Sequence, residues 1–366
     1  MGTVPYYGGE LDRRIRDAWV RPNALSDLPA PLPLPPGDNA GIPDRYIIHN
    51  GLLVPRAAVR EPRPVALGAR GHPRGISYDL DPLTRIRIAL LGHRDRAAAA
   101  WSALHVWGLP YLCADADTCV LSGGRPVVAS GPEEVTRVRR QGVQATVATF
   151  RPDPVVRDMA VVPPVQALLQ ALRMLWRGTH DWYTPPVAGT QRREVAAVQL
   201  IDSFCGTFGV DPVELPAAGR FLFDSPTLQR LVRSCDRGAE SPMETVLRLL
   251  AVDLLGQTGR ELVPQLVIHR DGGVSDPVHG VPRTDAASPV VARVDLGHPG
   301  LKLALQYDGE GHLAKERRDR DARVNTGLAN LGWHTLRLTY GHLTDPVELG
   351  RVLHDGVALC RERLSS

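Results

Sequence analysis

Long apolar runs are missing from this 366-residue chain, and so are most of the signatures that assign a class at a glance. No stretch approaches the roughly 18–20 consecutive apolar residues that carry a helix through a bilayer. The beginning, Met1-Gly-Thr-Val-Pro-Tyr-Tyr-Gly-Gly-Glu10, lacks a basic region followed by an apolar core. The expectation is a cytoplasmic protein without a membrane partner. Cysteine is scarce: an odd set of five, at 113, 119, 205, 235 and 360, excludes a disulfide framework. Cys113 and Cys119 alone suggest a zinc half-site, but no second pair follows at a useful spacing, so ordinary reduced thiols are expected. Charge of either sign is not in excess. A net +3 removes any whole-chain electrostatic case for nucleic acid, so a basic surface has to be local. A glycine-rich phosphate loop, a nucleophile elbow, a His-Glu-x-x-His helix and an internal repeat are also absent.

The length predicts two or three domains, each able to bury its own core. Residues 1–45 read as a proline-rich arm or linker: one short helix over Glu10–Val20, then Leu28-Pro-Ala-Pro-Leu-Pro-Leu-Pro-Pro-Gly37, where closely spaced prolines favour extended geometry. Residues 46–177 alternate short strands with helices. Asn50-Gly51 marks a hairpin turn, and helices are expected over Pro82–Gly92, Asp95–Trp107 and Val165–Trp176. Strands are expected at Thr118–Leu121, Pro126–Ala129 and Gln144–Phe150. Residues 178–239 read as a helical connector, with Arg193–Gly206 at helical spacing.

The domain from 240 to 366 carries the chemistry. Ser241 caps a helix over Met243–Leu255, with Pro242 at its first position and Glu244 in its first turn. That carboxylate has two readings, a charge favoured at a helix N-terminus or a ligand in a site. A strand at Gln265–His269 precedes two more, Pro289–Leu296 and Leu301–Tyr307, joined by a His-Pro-Gly turn into a hairpin. Asp295 ends the first arm, while Gln306 and Asp308 are two apart on the second and point to one face. Such an oxygen cluster suits a hard divalent cation, Mg2+ or Mn2+. His312 follows four residues after Asp308, where an imidazole could relay a proton or contact a phosphate. Lys315, Arg317, Arg318, Arg320 and Arg323 line the next helix, Ala314–Leu331, as candidate phosphate contacts; Asp319 and Asp321 interrupt them, as on an ordinary solvated face. A strand at Trp333–Thr339 and a helix at Asp345–Leu364 close the chain.

Asp295, ten residues, then Gln306-Tyr-Asp308, Gly309 and His312, resembles the PD-(D/E)XK nuclease core, most closely the branch similar to very-short-patch-repair endonucleases. Arg317-Arg-Asp-Arg-Asp-Ala-Arg323, Leu331-Gly-Trp-His-Thr-Leu-Arg-Leu-Thr339 and Ser241-Pro-Met-Glu244 extend that resemblance over the last third of the chain. It implies an α/β (α+β) fold with a restriction-endonuclease-like αβββαβ core, a mixed sheet flanked by helices, preceded by a smaller α+β region. It also implies metal ligation by Asp295, Asp308, Gln306 and Glu244, and hydrolysis of DNA. Gln306 stands where the family carries Glu; an amide offers one carbonyl oxygen and no charge, so weaker metal affinity is expected. Residues 46–177 resemble the middle of AbiEi-type antitoxin-like proteins, which implies a protein partner through residues 46–236. Two function classes follow: a magnesium-dependent endonuclease of repair or phage defence, or a catalytically weakened nuclease fold that binds DNA or protein in a regulator of toxin–antitoxin type.

Overall fold

The computed structural model describes residues 5–35, 44–49, 51–60, 75, 78–122, 136–138, 149–280, 288–309 and 315–365, except for the side chains of 136–138 and 315–321. The chain forms two compact units: residues 1–183 with 207–233, and residues 184–206 with 234–366. Both mix helices and strands. Among the described residues no helix is long and apolar enough to cross a membrane.

In the first unit, helix α1 (Gly9–Ala18) buries Leu11 and Ile15, four residues apart on one face, together with Asp12. One Asp12 carboxylate oxygen accepts a 2.7 Å hydrogen bond from the Val165 backbone N–H, and the other accepts from the Tyr6 hydroxyl. The arm expected over residues 1–45 is thus tied to the fold here by an apolar i,i+4 pair and a buried acid. Beyond it, strands β1 (Leu32–Pro33), β2 (Tyr46–His49) and β3 (Leu52–Pro55) make an antiparallel sheet ordered β1-β3-β2, with Gly51 at a φ of +74° in the expected hairpin turn.

Helix α2 (Pro82–Leu90) begins where the Asp81 side chain accepts from Leu83 N–H. Strand β4 (Ala97–Ala98) replaces the front of the helix expected from Asp95, which starts only at α3 (Ala100–Trp107). The reason is tertiary: Ala97 and Ala98 pair with Leu121 and Val120 of β5 (Cys119–Leu121), and Ala98 N–H donates to Ala160, so sheet pairing overrides alanine's helix preference. Strand β6 (Thr136–Val138) runs parallel to β5. The strand expected at 126–129, and that at 144–150 up to residue 148, lie outside the described residues. Helix α4 (Pro164–Trp176) is almost wholly apolar on its buried face, as its spacing predicts.

The second unit opens with α5 (Arg192–Phe208) and α6 (Pro242–Leu255). Asp202 of α5, fully buried, accepts hydrogen bonds from Arg248 and Thr245 of α6 and from Asp236 N–H. Strands β7 (Val263–His269), β8 (Val274–Ser275), β9 (Val290–His298) and β10 (Leu303–Asp308) follow, then α7 (Lys315–Asn330), β11 (His334–Thr339) and α8 (Pro346–Ser365). The sheet order is β11-β10-β9-β7-β8, antiparallel except where β10 meets β11. A parallel neighbour needs a crossover, and α7 supplies it. The helix, three main strands, helix, strand and helix stand in the order that the sequence predicts, with β8 as a two-residue addition at the edge.

Each face of the sheet buries its own core. Val246, Leu247 and Leu250 of α6 and Leu349 and Leu353 of α8 cover Leu296, Leu303 and Leu305 on one side. Leu328 of α7 and Trp333 meet Leu266, Ile268, Ala292, Val294 and Ala304 on the other. Full burial of Val246, Leu247 and Leu250 is worth up to about 1.5–3 kcal/mol each, which fixes α6 and therefore the position of Glu244.

Candidate metal centre

The sheet changes face at one register position, and the candidate site sits there. Val294 and Leu296 are two apart on β9 and would ordinarily share a face, yet they belong to opposite cores. Across from them, Pro264 pairs with Leu296 and Leu266 with Val294, which leaves Gln265 directly opposite Asp295. Gln265 has a φ of +53°, a left-handed conformation that costs a non-glycine residue about 1–3 kcal/mol. This residue lets the strand turn its side chains over in mid-sheet. Both polar residues sit at the turn-over point.

Glu244 reaches the same place from the start of α6. Ser241 Oγ caps the helix by accepting from Glu244 N–H at 3.3 Å, and Glu244 Oε2 accepts from Glu240 N–H and from Gln265 Nε2, both at 2.9 Å. This acid therefore folds back on the helix start, as expected of a charge at a helix N-terminus, and also meets β7. Burial raises its pKa above the ordinary carboxylate value.

Asp295 Oδ2 accepts a 2.6 Å hydrogen bond from Tyr307 N–H. Its pKa is raised to about 7, first by burial and then by the Glu244 carboxylate, against the opposing effect of the Tyr307 donor. Leu305 is the last β10 residue paired with β9, against Leu296; Leu303, Leu305 and Tyr307 turn to the α6 side of the sheet, so Gln306 turns to the other side, as Ala304 does. Gln306 Oε1 is buried and has no hydrogen-bond partner. Asp308, two residues on, is exposed at the strand end, and its Oδ2 lies 3.7 Å from Arg337 Nη1 on β11.

Glu244 and Asp295 thus lie within reach of each other's charge, whereas Asp308 lies beside Arg337. Among the described residues no three His, Cys, Asp or Glu side chains converge on a metal position. Asp308, expected as a ligand beside the other two acids, has instead a cation within reach on the neighbouring strand. His312 lies outside the described residues. Lys315, Arg317, Arg318 and Arg320 belong to α7, but their side chains are likewise outside; Arg323 is exposed on that helix. Cys113, Cys119, Cys205, Cys235 and Cys360 are all free thiols.

No family model, curated protein or solved structure matches the chain. Geometry and chemistry alone carry the reading of the site. The donors brought together are two carboxylates whose charges oppose each other. Carboxylate oxygens are the ligands a hard divalent cation takes, and a cation between them would relieve that repulsion.

Two residues of the site escape sequence reasoning. Gln265 holds Glu244, and its only signal is an amide within the apolar run Val263-Pro-Gln-Leu-Val-Ile268. Arg337 competes for Asp308, and nothing in the sequence sets the register between β10 and β11 that brings them together.

Proposed function

We propose that the chain is a magnesium- or manganese-dependent DNA endonuclease of PD-(D/E)XK type, acting in the cytoplasm, with residues 240–366 as its nuclease domain and residues 46–177 as an AbiEi-like region. The observation that carries this reading is the proximity of the Asp295 and Glu244 carboxylates where the sheet changes face. These two would hold the cation, with Gln306 and Asp308 as the further ligands that the resemblance implies. When bound, it would neutralise charge on a scissile phosphate and acidify a water. The chain's own part is otherwise positional. Gln265 fixes the Glu244 carboxylate, Tyr307 N–H fixes that of Asp295, and Arg323 and Arg337 offer positive charge to a nucleic-acid backbone. His312 would relay a proton or contact the phosphate, and Lys315, Arg317, Arg318 and Arg320 would extend the basic track along α7. Five free thiols agree with a reducing compartment.

A second reading, a nuclease fold kept as a DNA- or protein-binding regulator of toxin–antitoxin type, is favoured by the neutral Gln306 and by Asp308 paired with Arg337. The two part in one assay. Single-stranded, duplex and mismatched DNA are incubated with Mg2+ or Mn2+ and either wild type or Asp295→Ala. The endonuclease reading expects metal-dependent cleavage that the variant loses. No cleavage of any substrate would leave the binding role.

A further inference from the structure

The first unit carries on its surface an aromatic pair that its own fold does not bury. Tyr7, just ahead of α1, and Phe221, in the turn after the short helix Leu215–Ala218, are 48 % and 56 % exposed. Their ring centroids are 6.2 Å apart with the planes at 42°, within the range in which rings attract. The Arg220 guanidinium stands over both, 5.7 Å from the centre of Tyr7 and 4.9 Å from that of Phe221. Among the described residues no carboxylate pairs with it. Glu214, the acid of the same stretch, is already taken: it accepts from Arg14 of α1 at 2.6 Å and from Asp211 N–H at 3.1 Å. The Arg14–Glu214 bond also fastens α1 to the segment that leads into the turn.

The backbone beneath Phe221 is strained. Leu222 and Phe223 N–H both donate to the Gly219 carbonyl, at 2.9 and 3.1 Å, and both of those side chains are buried. To close this turn Phe221 takes a φ of +66°, the left-handed region where glycine or asparagine is at home and a bulky residue is an outlier. Glycine would meet every demand of the turn. The position instead combines a strained backbone with an apolar ring half in water, and strain kept where it could be relieved points to a use for the side chain. Tyr111 shares both features, at a φ of +59° and 55 % exposed, but among the described residues it has neither a ring nor a cation beside it. What sets Tyr7 and Phe221 apart is the combination of two open rings with one shared cation.

Two half-open aromatic side chains offer on the order of 200 Å² of surface. A stable protein partner needs roughly 800 Å² per side, and the residues beside the rings, Arg14, Glu214 and Arg220, are charged. A strand of nucleic acid needs far less, because each unpaired base presents a flat π face that stacks on an aromatic ring whatever its sequence. Its phosphates supply the anion that the guanidinium lacks. A duplex hides the base faces against one another. We infer that Tyr7, Phe221 and Arg220 form a stacking platform for single-stranded nucleic acid, with the rings under two bases and the guanidinium on the phosphate between them. The platform needs neither metal nor cleavage and stands or falls apart from the endonuclease reading.

Fluorescence anisotropy of 3′-labelled strands, with the full chain in EDTA, keeps any metal-dependent cleavage out of the measurement. An oligothymidylate of about eight nucleotides should bind roughly tenfold or more tightly than an abasic strand of the same length and charge, and than a hairpin duplex. The ratio to oligouridylate then assigns the platform to DNA, to RNA or to both. Phe221→Gly should remove most of the preference over the abasic strand while melting close to wild type, since glycine relieves the left-handed backbone; a loss of binding at unchanged stability is not misfolding. Tyr7→Ala should weaken binding in the same way. Phe221→Tyr, which restores a ring, and Tyr111→Ala, which removes an exposed ring elsewhere, should both keep the preference. Equal binding of the oligothymidylate and the abasic strand, duplex bound as tightly as single strand, no binding of any probe, or a preference untouched in Phe221→Gly would overturn the proposal. So would self-association that Phe221→Gly abolishes without any base-dependent binding, which would give the rings to a second copy of the chain.

Discussion

Gln306 keeps a carbonyl oxygen buried and unsatisfied, and a buried unmade hydrogen bond costs about 1–3 kcal/mol. Gln306→Glu adds a negative charge at that point. Without metal the variant should melt below wild type, and Mg2+ should restore the difference by binding the folded state; cleavage should rise if metal affinity limits it. No Mg2+ effect on the melting of either protein would sink the metal centre. Asp295 gives the same test a pH axis. With its pKa raised to about 7, the folded protein favours the neutral acid, so this group's contribution to stability is complete below about pH 4 and is lost as pH rises through 7. A cation prefers the charged form. The gain in melting temperature from Mg2+ should therefore be larger at pH 8 than at pH 5.5, and Asp295→Asn should flatten that dependence. Gln265 separates strain from contact. Gln265→Gly relieves the left-handed φ and Gln265→Ala does not, so the glycine variant should be the more stable by about 1 kcal/mol. Both lose the hydrogen bond to Glu244 and should show the same weakened metal response. At this scale residue type and spacing point out oxygen donors, and the nearness of Asp295 to Glu244 is what the structure adds to them. The strain at Gln265 and the Asp308–Arg337 pair were not legible, because both arise from how strands meet.

Elements of the C-terminal unit were legible to within a few residues at each end, since their caps, turns and apolar periods agree. The first unit was harder to read where tertiary pairing decides, as at Ala97–Ala98. It is also fastened by side chains that no periodicity exposes. Arg87 of α2 and Asp153 form an ion pair in which both side chains are 0 % exposed, and Arg87 donates besides to the Leu25 carbonyl at 2.8 Å. Asp153 also accepts from Val155 and Val156 N–H. Arg87→Met leaves that carboxylate buried without its cation and should destabilise the first unit by about 3–5 kcal/mol in denaturant melts. A loss under 1 kcal/mol would mean that water reaches Asp153. Asp12→Ala should cost less, about 1–2 kcal/mol, because it removes a cap from the first turn of α4.

For the molecule as a whole, a net charge of +3 places the burden of nucleic-acid attraction on local stripes. If α7 carries the duplex contacts, neutralising Arg317, Arg318 and Arg320 together should flatten the salt dependence of DNA binding by roughly three times 0.9 in log–log slope. An unchanged slope would move the contacts elsewhere. Apolar periods and turn signals gave the mixed helix and strand content, and the near-balanced charge gave the local nature of any basic surface. Neither revealed that residues 184–206 pack with the C-terminal unit while 207–233 pack with the first. Helical periodicity looks the same whichever core it serves.

That interleaving makes neither unit a continuous piece of chain, and the consequence falls on synthesis and dissection. As the polypeptide leaves the ribosome, the first unit lacks part of its own material until residue 233 has emerged, by which time 184–206 is already waiting for strands not yet made. A fragment cut at the apparent domain start, 240–366, would come away without Val187, Val195 and the Asp202 carboxylate. Arg248, 12 % exposed, would lose the acid it pairs with, and an apolar face of the sheet's helical cover would open to water. Such a fragment should be prone to aggregation, whereas one beginning at 184 should keep those partners.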